Sequence, residues 1–412
     1  MKDRKLTLQV PSSKSQTQRA ILVAALTRGQ SILHRPLDCY DSRHLRACLS
    51  ALGARFTESG DRLEIGGGEL HSPLTPLDCG DGGTTLRFLL PLSLILDGPV
   101  VFDGSPRLRE RPVTPLLDAL RSLGATIEHL DRPGSIPVRI TMSKASLPSA
   151  QAVASIETSE TSQFASGLLL TAPRLPQGLT LRLSSTRVSV SAPYLEMTLE
   201  TMRRRGVSVE RAAETYFVPH AAYRPVELEV EGDWSSAAFL LVGARLAGIE
   251  LELPNLDPHS TQGDRVITTQ LDELSRCRPH TFDLTDCPDL VAPLAVAAAL
   301  APNPTKITGA AHARLKESDR LTSLSEGLRT VGVRARETPD GLEIEPGGEP
   351  RQGLVRTRRD HRMAMAFGLL SLVHPGIEVD DRECVSKSYP SFWEDLARIS
   401  AHRAHVASGP IC

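Results

Sequence analysis

SQTQRAILVAALTRGQSILH from Ser15, GTTLRFLLPLSLILDGPVVF from Gly83, TSQFASGLLLTAPRLPQGLTLRL from Thr161, SSAAFLLVGARLAGIELEL from Ser235, DLVAPLAVAAALAPNPTKIT from Asp289 and DHRMAMAFGLLSLVHPGIEV from Asp360 follow one plan. Each opens on small polar or charged residues. Each continues as an apolar, Ala- and Leu-rich run of helical length, and ends in a turn before a β-like stretch. The copies recur roughly every 70 residues, which marks an internal repeat. Between them lie amphipathic segments at 41–56, 109–129, 191–210, 262–274 and 316–337 with apolar residues at i, i+3 and i+4 spacing. Four of these close on a glycine, as helix C-termini do. Short strands such as LTLRL, VELEV, IELEL and GLEIEP flank the helices. The reading is α/β, six units of two helices and several strands. Neither G-x-G-x-x-G nor a P-loop occurs, so a doubly wound nucleotide fold is not expected.

The chain has 412 residues, which points to two domains of roughly 200 residues each. Hydrophobic residues make up 40% and charged residues 23%, a globular composition. Lys plus Arg is 47 against 49 Asp plus Glu, and aromatics are 4%. That balance argues against a nucleic-acid or membrane-surface binder, and the few aromatics against a single-strand stacking platform. The seven cysteines form no C-x-x-C pair and no metal-ligand spacing is present, so no metal is expected. No apolar signal core and no run of 18 apolar residues appears. A reduced, cytoplasmic protein is the expectation.

The helix openings draw attention because a helix N-terminus offers free N–H groups and the positive end of its dipole to an anion. Lys14, Ser15, Gln18 and Arg19 form the first opening. The second runs from Gly80 through Gly83 to Arg87, the third is Thr161-Ser162-Gln163, and the sixth carries Arg362. At Ser235-Ser236 a simple capped helix is the expected reading. Further basic groups sit at Arg107, Arg109 and Arg111, at Arg314, Lys316 and Arg320, and at Lys387. Arginine and lysine beside glycine turns and helix starts suit phosphate and carboxylate, so a substrate with several negative charges fits.

These segments together resemble the EPSP synthase family of enolpyruvyl transferases. PSSKSQTQRA is similar to its P-G-S-K-S-x-x-x-R-A opening, GDGGTTLRF to G-N-A-G-T-x-x-R, and SPRLRERPV to P-R-M-x-E-R-P-I. TSQF, SAPY, VEGDWSSAAFLL, CPDLVAPLAV, RLKESDRL, RDHRMAMAF and VSKSYPSFW continue the resemblance in order, from Pro11 to Trp393. It implies two domains, each of three βαβαββ units, with the active site in the cleft between them. The expected boundaries put 1–13 and 227–412 in one domain and 14–226 in the other.

The implied reaction moves the enolpyruvyl group of phosphoenolpyruvate to the 5-hydroxyl of shikimate 3-phosphate, in aromatic amino acid biosynthesis, without a cofactor and in a monomer. By motif, Lys14, Gly83, Arg111, Gln163, Arg320, Arg362 and Lys387 are expected at phosphoenolpyruvate. Lys14, Ser15, Arg19, Thr161, Ser162, Gln163, Ser191, Asp289, His312 and Lys316 are expected at shikimate 3-phosphate. Asp289 is the implied base, Glu317 and Lys14 the proton-transfer pair, and Lys387 lies near the leaving phosphate. Glyphosate, which competes with phosphoenolpyruvate in this family, is expected to inhibit, because Gly83 leaves room where a larger side chain would intrude.

The sequence departs from the family at several places. Ser12 replaces a usual Gly, Asp81 an Asn, Phe88 a Pro, Ala192 a Lys or Arg, and His312 an Asn. The sister family acting on UDP-N-acetylglucosamine carries a catalytic Cys in the loop corresponding to 103–112, and here that loop has none. A non-catalytic anion-binding relative would be expected to lose Asp289, Glu317 or Lys387, and all three are present.

Overall fold

All six Ala- and Leu-rich stretches are helical in the computed structural model, which describes residues 5–143, 151–184 and 190–408. The helices are Lys14–Leu26, Gly83–Leu89, Gln163–Thr171, Trp234–Ala247, Val291–Ala299 and His361–Leu370. Their composition dictates their place. A helix without a broad polar face has no side to give to water, so it goes inside. Every residue of Val291–Ala299 and of His361–Leu370 is buried. The second set, Tyr40–Ala51, Thr114–Ser122, Ala192–Arg204, Ile267–Glu273 and Arg320–Thr330, has a polar face and buries one stripe. In Thr114–Ser122 that stripe is Leu116, Leu117, Ala119 and Leu120. The glycines read as terminators, Gly53, Gly124, Gly206 and Gly332, all take positive φ, which suits the reversal after a helix.

Four four-stranded sheets and two parallel pairs are present among the described residues. Each four-stranded sheet joins a parallel pair to an antiparallel hairpin. Ala152–Glu157 runs parallel to Leu179–Ser184 with Ala152 opposite Leu179. Leu179–Ser184 then pairs antiparallel with Thr215–Val218, whose hairpin partner is Glu210–Ala212. The crossover that a parallel pair requires is helix Gln163–Thr171, so the βαβαββ unit follows directly from strand direction. Leu77–Asp78, Gly98–Asp103, Val138–Met142 and Thr126–His129 repeat the pattern, as do His280–Asp283, Thr305–Thr308, Gly341–Ile344 and Ala335–Thr338. In the fourth sheet Gly29–His34 takes its parallel neighbour from Glu227–Glu229, nearly 200 residues later.

Two of the six units are shorter than the repeat leads one to expect. Lys5–Thr7 pairs only with Glu250–Glu252, and Gly353–Val355 only with Ile377–Val379. Only residues 274–279 separate helix Ile267–Glu273 from the next strand, too few for a hairpin. After Ile377–Val379 the chain turns through Glu383–Lys387 into helix Phe392–Ser408, so no hairpin forms there either.

The chain divides into two compact units, Met1–Pro11 with Glu231–Cys412, and Ser12–Val230. Each has its own apolar core. In the second, helices Lys14–Leu26, Gly83–Leu89 and Gln163–Thr171 pack on one another; in the first, Trp234–Ala247, Val291–Ala299 and His361–Leu370 do the same. No helix of the described residues is long and apolar enough to cross a membrane.

The closeness of these buried helices rests on small residues. A Cβ on Gly167 would lie 2.3 Å from the backbone oxygen of Arg87, which cannot swing aside as a side chain could. Helix propensity favours Ala over Gly by about 1 kcal/mol, whereas overpacking a core costs about 1–3 kcal/mol. Gly167→Ala should therefore lower stability by up to about 2 kcal/mol in urea denaturation. A more stable variant would mean that the two helices can separate freely.

Candidate active site

Arg320 is the centre of the charged cluster in the unit containing Glu231–Cys412. It opens helix Arg320–Thr330 and is 1% exposed. Its Nη1 donates to Asp289 Oδ1 at 2.7 Å, its Nη2 to Glu317 Oε2 at 2.6 Å, and its Nε to Asp360 Oδ2 at 2.9 Å. The three carboxylates arrive from separate segments. Asp289 lies in the turn Pro288–Leu290 that leads into the next buried helix. Asp360 is the N-cap of His361–Leu370 and accepts from the Arg362 backbone N–H. Glu317 follows the turn Ala311–Leu315. Two more cations complete the cluster: Arg362 Nη2 lies 2.9 Å from Asp289 Oδ2, and Lys387 Nζ lies 3.4 Å from Glu317 Oε1.

Charge follows from this arrangement. Burial works to raise the Asp289 pKa, but Arg362, Lys316 and Arg320 overcome it and hold the carboxyl well below its ordinary value. Burial likewise opposes the Arg320 cation, and Asp360, Glu317 and Asp289 more than offset it, so its pKa rises. His312, itself buried, is pushed down to about 3 by burial and then by the Lys316 charge, which leaves a neutral imidazole. Its Nε2 has no hydrogen-bond partner among the described residues.

In the unit Ser12–Val230 the helix openings are built differently. Lys14 begins helix Lys14–Leu26, and its Nζ donates to Asp41 Oδ2 at 3.0 Å. Helices Lys14–Leu26, Gly83–Leu89 and Gln163–Thr171 have no side-chain cap hydrogen bond. Their N-cap side chains accept from none of the first-turn N–H groups, unlike Asp233 and Asp360, although the Gln163 N–H donates to Thr161 Oγ1 at 3.2 Å. Gln163 bridges two of these openings. Its Nε2 donates to Thr84 Oγ1 at 2.9 Å, and its Oε1 accepts from Arg87 at 2.8 Å. Arg111, buried, faces Gly83 so closely that a Cβ there would lie 2.5 Å from the guanidinium carbon.

Other expected residues have distinct surroundings. Ser191 takes a left-handed φ of 62° immediately before helix Ala192–Arg204, and Thr161 and Ser162 are buried at the third opening. Arg19 is 1% exposed, and its hydrogen bonds go to Thr198 Oγ1, Ser15 O, Ser166 Oγ and Tyr194 O. Burial lowers its pKa to about 10. Within the apparatus of this unit, Arg19 binds helices together.

A family profile described as EPSP synthase (3-phosphoshikimate 1-carboxyvinyltransferase) matches residues 2–396. The chain is 36% identical to the 3-phosphoshikimate 1-carboxyvinyltransferase of Methanospirillum hungatei over 94% of both chains. It is 33% identical to the enzyme of that name from an Enterobacter species over 96% of both. The chain belongs to the EPSP synthase family. The fold agrees: an EPSP synthase structure from Acinetobacter baumannii aligns with a TM-score of 0.76 at 23% identity over 96% of both chains. The enolpyruvyl transferase NikO from Streptomyces tendae aligns with 0.68 at 19% identity, over 96% of this chain and 94% of that one.

The sequence carries no signal for the counter-ions. Asp360 reads as part of the opening that carries Arg362, yet it is the fully buried partner of Arg320. Asp41 reads as an ordinary acid in the first turn of a helix, and nothing local signals that it holds Lys14. Arg314, by contrast, pairs with Asp319 at 2.9 Å, the cap of the neighbouring helix.

Replacing Arg320 by Met strands three carboxylates. Removing one partner of a buried ion cluster costs about 3–5 kcal/mol, and a loss of that size is expected in urea denaturation at pH 7. The depressed Asp289 pKa contributes stability above its unfolded value near 3.8, lost as pH falls below it. Arg320→Met should flatten that acid limb. A variant as stable as the wild type at both pH values would show that the cluster is solvated.

Proposed function

We propose that the chain transfers the enolpyruvyl group of phosphoenolpyruvate to the 5-hydroxyl of shikimate 3-phosphate, giving 5-enolpyruvylshikimate 3-phosphate and phosphate, in aromatic amino acid biosynthesis. The observation that carries the reading is the Arg320 cluster, in which Asp289 is held ionised by Arg362, Lys316 and Arg320, and Glu317 lies between Arg320 and Lys387. The reading further takes the enzyme as a cytoplasmic monomer that needs no cofactor.

Arg111, Arg320, Arg362, Lys14 and Lys387 are assigned to the carboxylate and phosphate of phosphoenolpyruvate, with Gly83 and Gln163 beside them. Shikimate 3-phosphate is assigned to Ser15, Arg19, Thr161, Ser162, Gln163, Ser191, Lys316, Asp289 and Lys14, and to the neutral ring of His312. An arriving dianion competes with Asp289 for Arg362 and Lys316. As those cations turn to the substrate, Asp289 loses what depresses its pKa and becomes a stronger base. It can then take the proton of the 5-hydroxyl as that oxygen bonds to C2 of phosphoenolpyruvate. C3 gains a proton in the same addition, and Glu317 and Lys14 are the groups assigned to deliver it. In the elimination C3 returns the proton, the C2–O bond to phosphate breaks, and the departing phosphate meets Lys387.

Phosphate release from phosphoenolpyruvate should require shikimate 3-phosphate and should fall by at least about 100-fold in Asp289→Ala. Release supported by UDP-N-acetylglucosamine instead would transfer the chain to the sister activity, and silence with both acceptors would favour an anion-binding relative. Gly83→Ala tests the phosphoenolpyruvate assignment separately. The three atoms nearest the added methyl group belong to the Arg111 guanidinium, the far end of a flexible side chain, so the fold should survive while the guanidinium moves. The expected outcome is a KM for phosphoenolpyruvate raised by about tenfold, the loss of one charge-assisted hydrogen bond, together with weaker competitive inhibition by glyphosate. An unchanged KM would remove Arg111 from the phosphoenolpyruvate site.

A further inference from the structure

Asp264 is a second buried carboxyl group in the unit that holds Asp289, and the assignments above do not use it. It lies in the turn Gly263–Val266, which packs against helix Trp234–Ala247, and is 2% exposed. Ser235, in the first turn of that helix, donates its hydroxyl to Asp264 Oδ2. Asp264 Oδ1 has no hydrogen-bond partner among the described residues. The backbone donors of the helix opening are already taken, since Asp233 accepts from the N–H groups of Ser235 and Ser236 at 2.8 and 3.4 Å.

The charged groups acting on Asp264 come from several segments. Asp289 and Asp233 repel a charge there, and Arg362 attracts it. Arg362 also holds Asp289 at 2.9 Å. The neighbouring Cys287 thiol is pushed far up by burial and stays neutral. A buried carboxylate with one donor and a like charge beside it is costly, and protonation relieves both penalties. Burial first, then the Asp289 charge, push the Asp264 pKa up to about 7 against the pull of Arg362 and Ser235.

We propose that Asp264 positions Arg362: as a neutral carboxyl it leaves the guanidinium to Asp289 and to an incoming anionic substrate, and as a carboxylate it competes for that guanidinium. The two carboxyl groups then share one negative charge in the resting state, and the second charge appears only at the cost of substrate affinity. This rests on the assignment of Arg362 to phosphoenolpyruvate.

The test is the pH dependence of shikimate 3-phosphate-dependent phosphate release, with kcat and the KM for phosphoenolpyruvate separated, for the wild type, Asp264→Asn and Ser235→Ala. In the wild type the KM should climb up to about tenfold per pH unit above an ionisation near 7, with kcat less affected. Asp264→Asn cannot ionise and should lose that rise. Ser235→Ala lacks the donor that favours the ionised form, so its inflection should move to higher pH. Titration of the substrate itself is common to all three proteins and cancels in the comparison. A role confined to packing would change rate or melting temperature equally at every pH and leave the profile in place. Wild-type profiles in both variants would overturn the proposal; if Asp264→Asn does not fold, the Ser235→Ala shift decides alone. Failure of the underlying assignment shows separately, as Arg362→Ala with an unchanged KM for phosphoenolpyruvate.

Discussion

One buried guanidinium ties the charged cluster of the 231–412 unit together. Arg320 reaches Asp289, Glu317 and Asp360, which belong to three segments far apart in sequence. Each segment is the entrance to a helix, and two of those helices are buried along their whole length. The apolar core fixes where the helices lie, and their entrances deliver the charges. A single Arg could not balance three carboxylates by itself; Arg362 and Lys387 supply the remaining positive charge. Ion clusters of this kind contribute little net stability compared with apolar packing.

The two units differ in how their buried helices open. In the unit 12–230, none of the helices Lys14–Leu26, Gly83–Leu89 and Gln163–Thr171 is capped by its N-cap side chain. In the unit 231–412, Asp233 and Asp360 cap two helices, and Val291–Ala299 has no side-chain cap. Backbone donors are rigid and need no reorganisation on binding, whereas an arginine paired to a carboxylate must exchange partners. In the proposed assignment that exchange links substrate binding to the basicity of Asp289, because the cations that hold its pKa down are those assigned to the substrate.

Most of the fold was legible because its signal is periodic. The six apolar runs, the amphipathic helices between them and the closing glycines all fell where the pattern put them. The two shortened units were not legible: one hairpin is missing because few residues remain between 273 and 280, the other because the chain turns through Glu383–Lys387 into helix Phe392–Ser408. At the site, the cations were readable as basic residues near helix entrances. Their anionic partners were not. Asp41 and Asp360 lie 27 and 40 positions from the cations they hold, and such pairing is decided by tertiary packing. Asp264 was invisible for the same reason: nothing in QGDR signals burial beside Asp289.

The departures from the family pattern make physical sense once their neighbours are known. Ser12 does not take a positive φ, so the backbone there has no need of glycine. Phe88 is wholly buried and lies 5.2 Å beneath the Arg19 guanidinium, supporting a cation whose hydrogen bonds already go to the protein. Asp81 is the instructive case, since a carboxylate beside a proposed anion site ought to repel its ligand. It accepts a hydrogen bond from Ser105, which also caps helix Pro106–Glu110, and the Ser105 N–H donates to Gly80 O at 2.9 Å. These bonds tie the glycine turn to the segment carrying Arg111, so the charge that could oppose binding helps to hold the arginine that would favour it. Local repulsion is thereby set against a better-placed guanidinium.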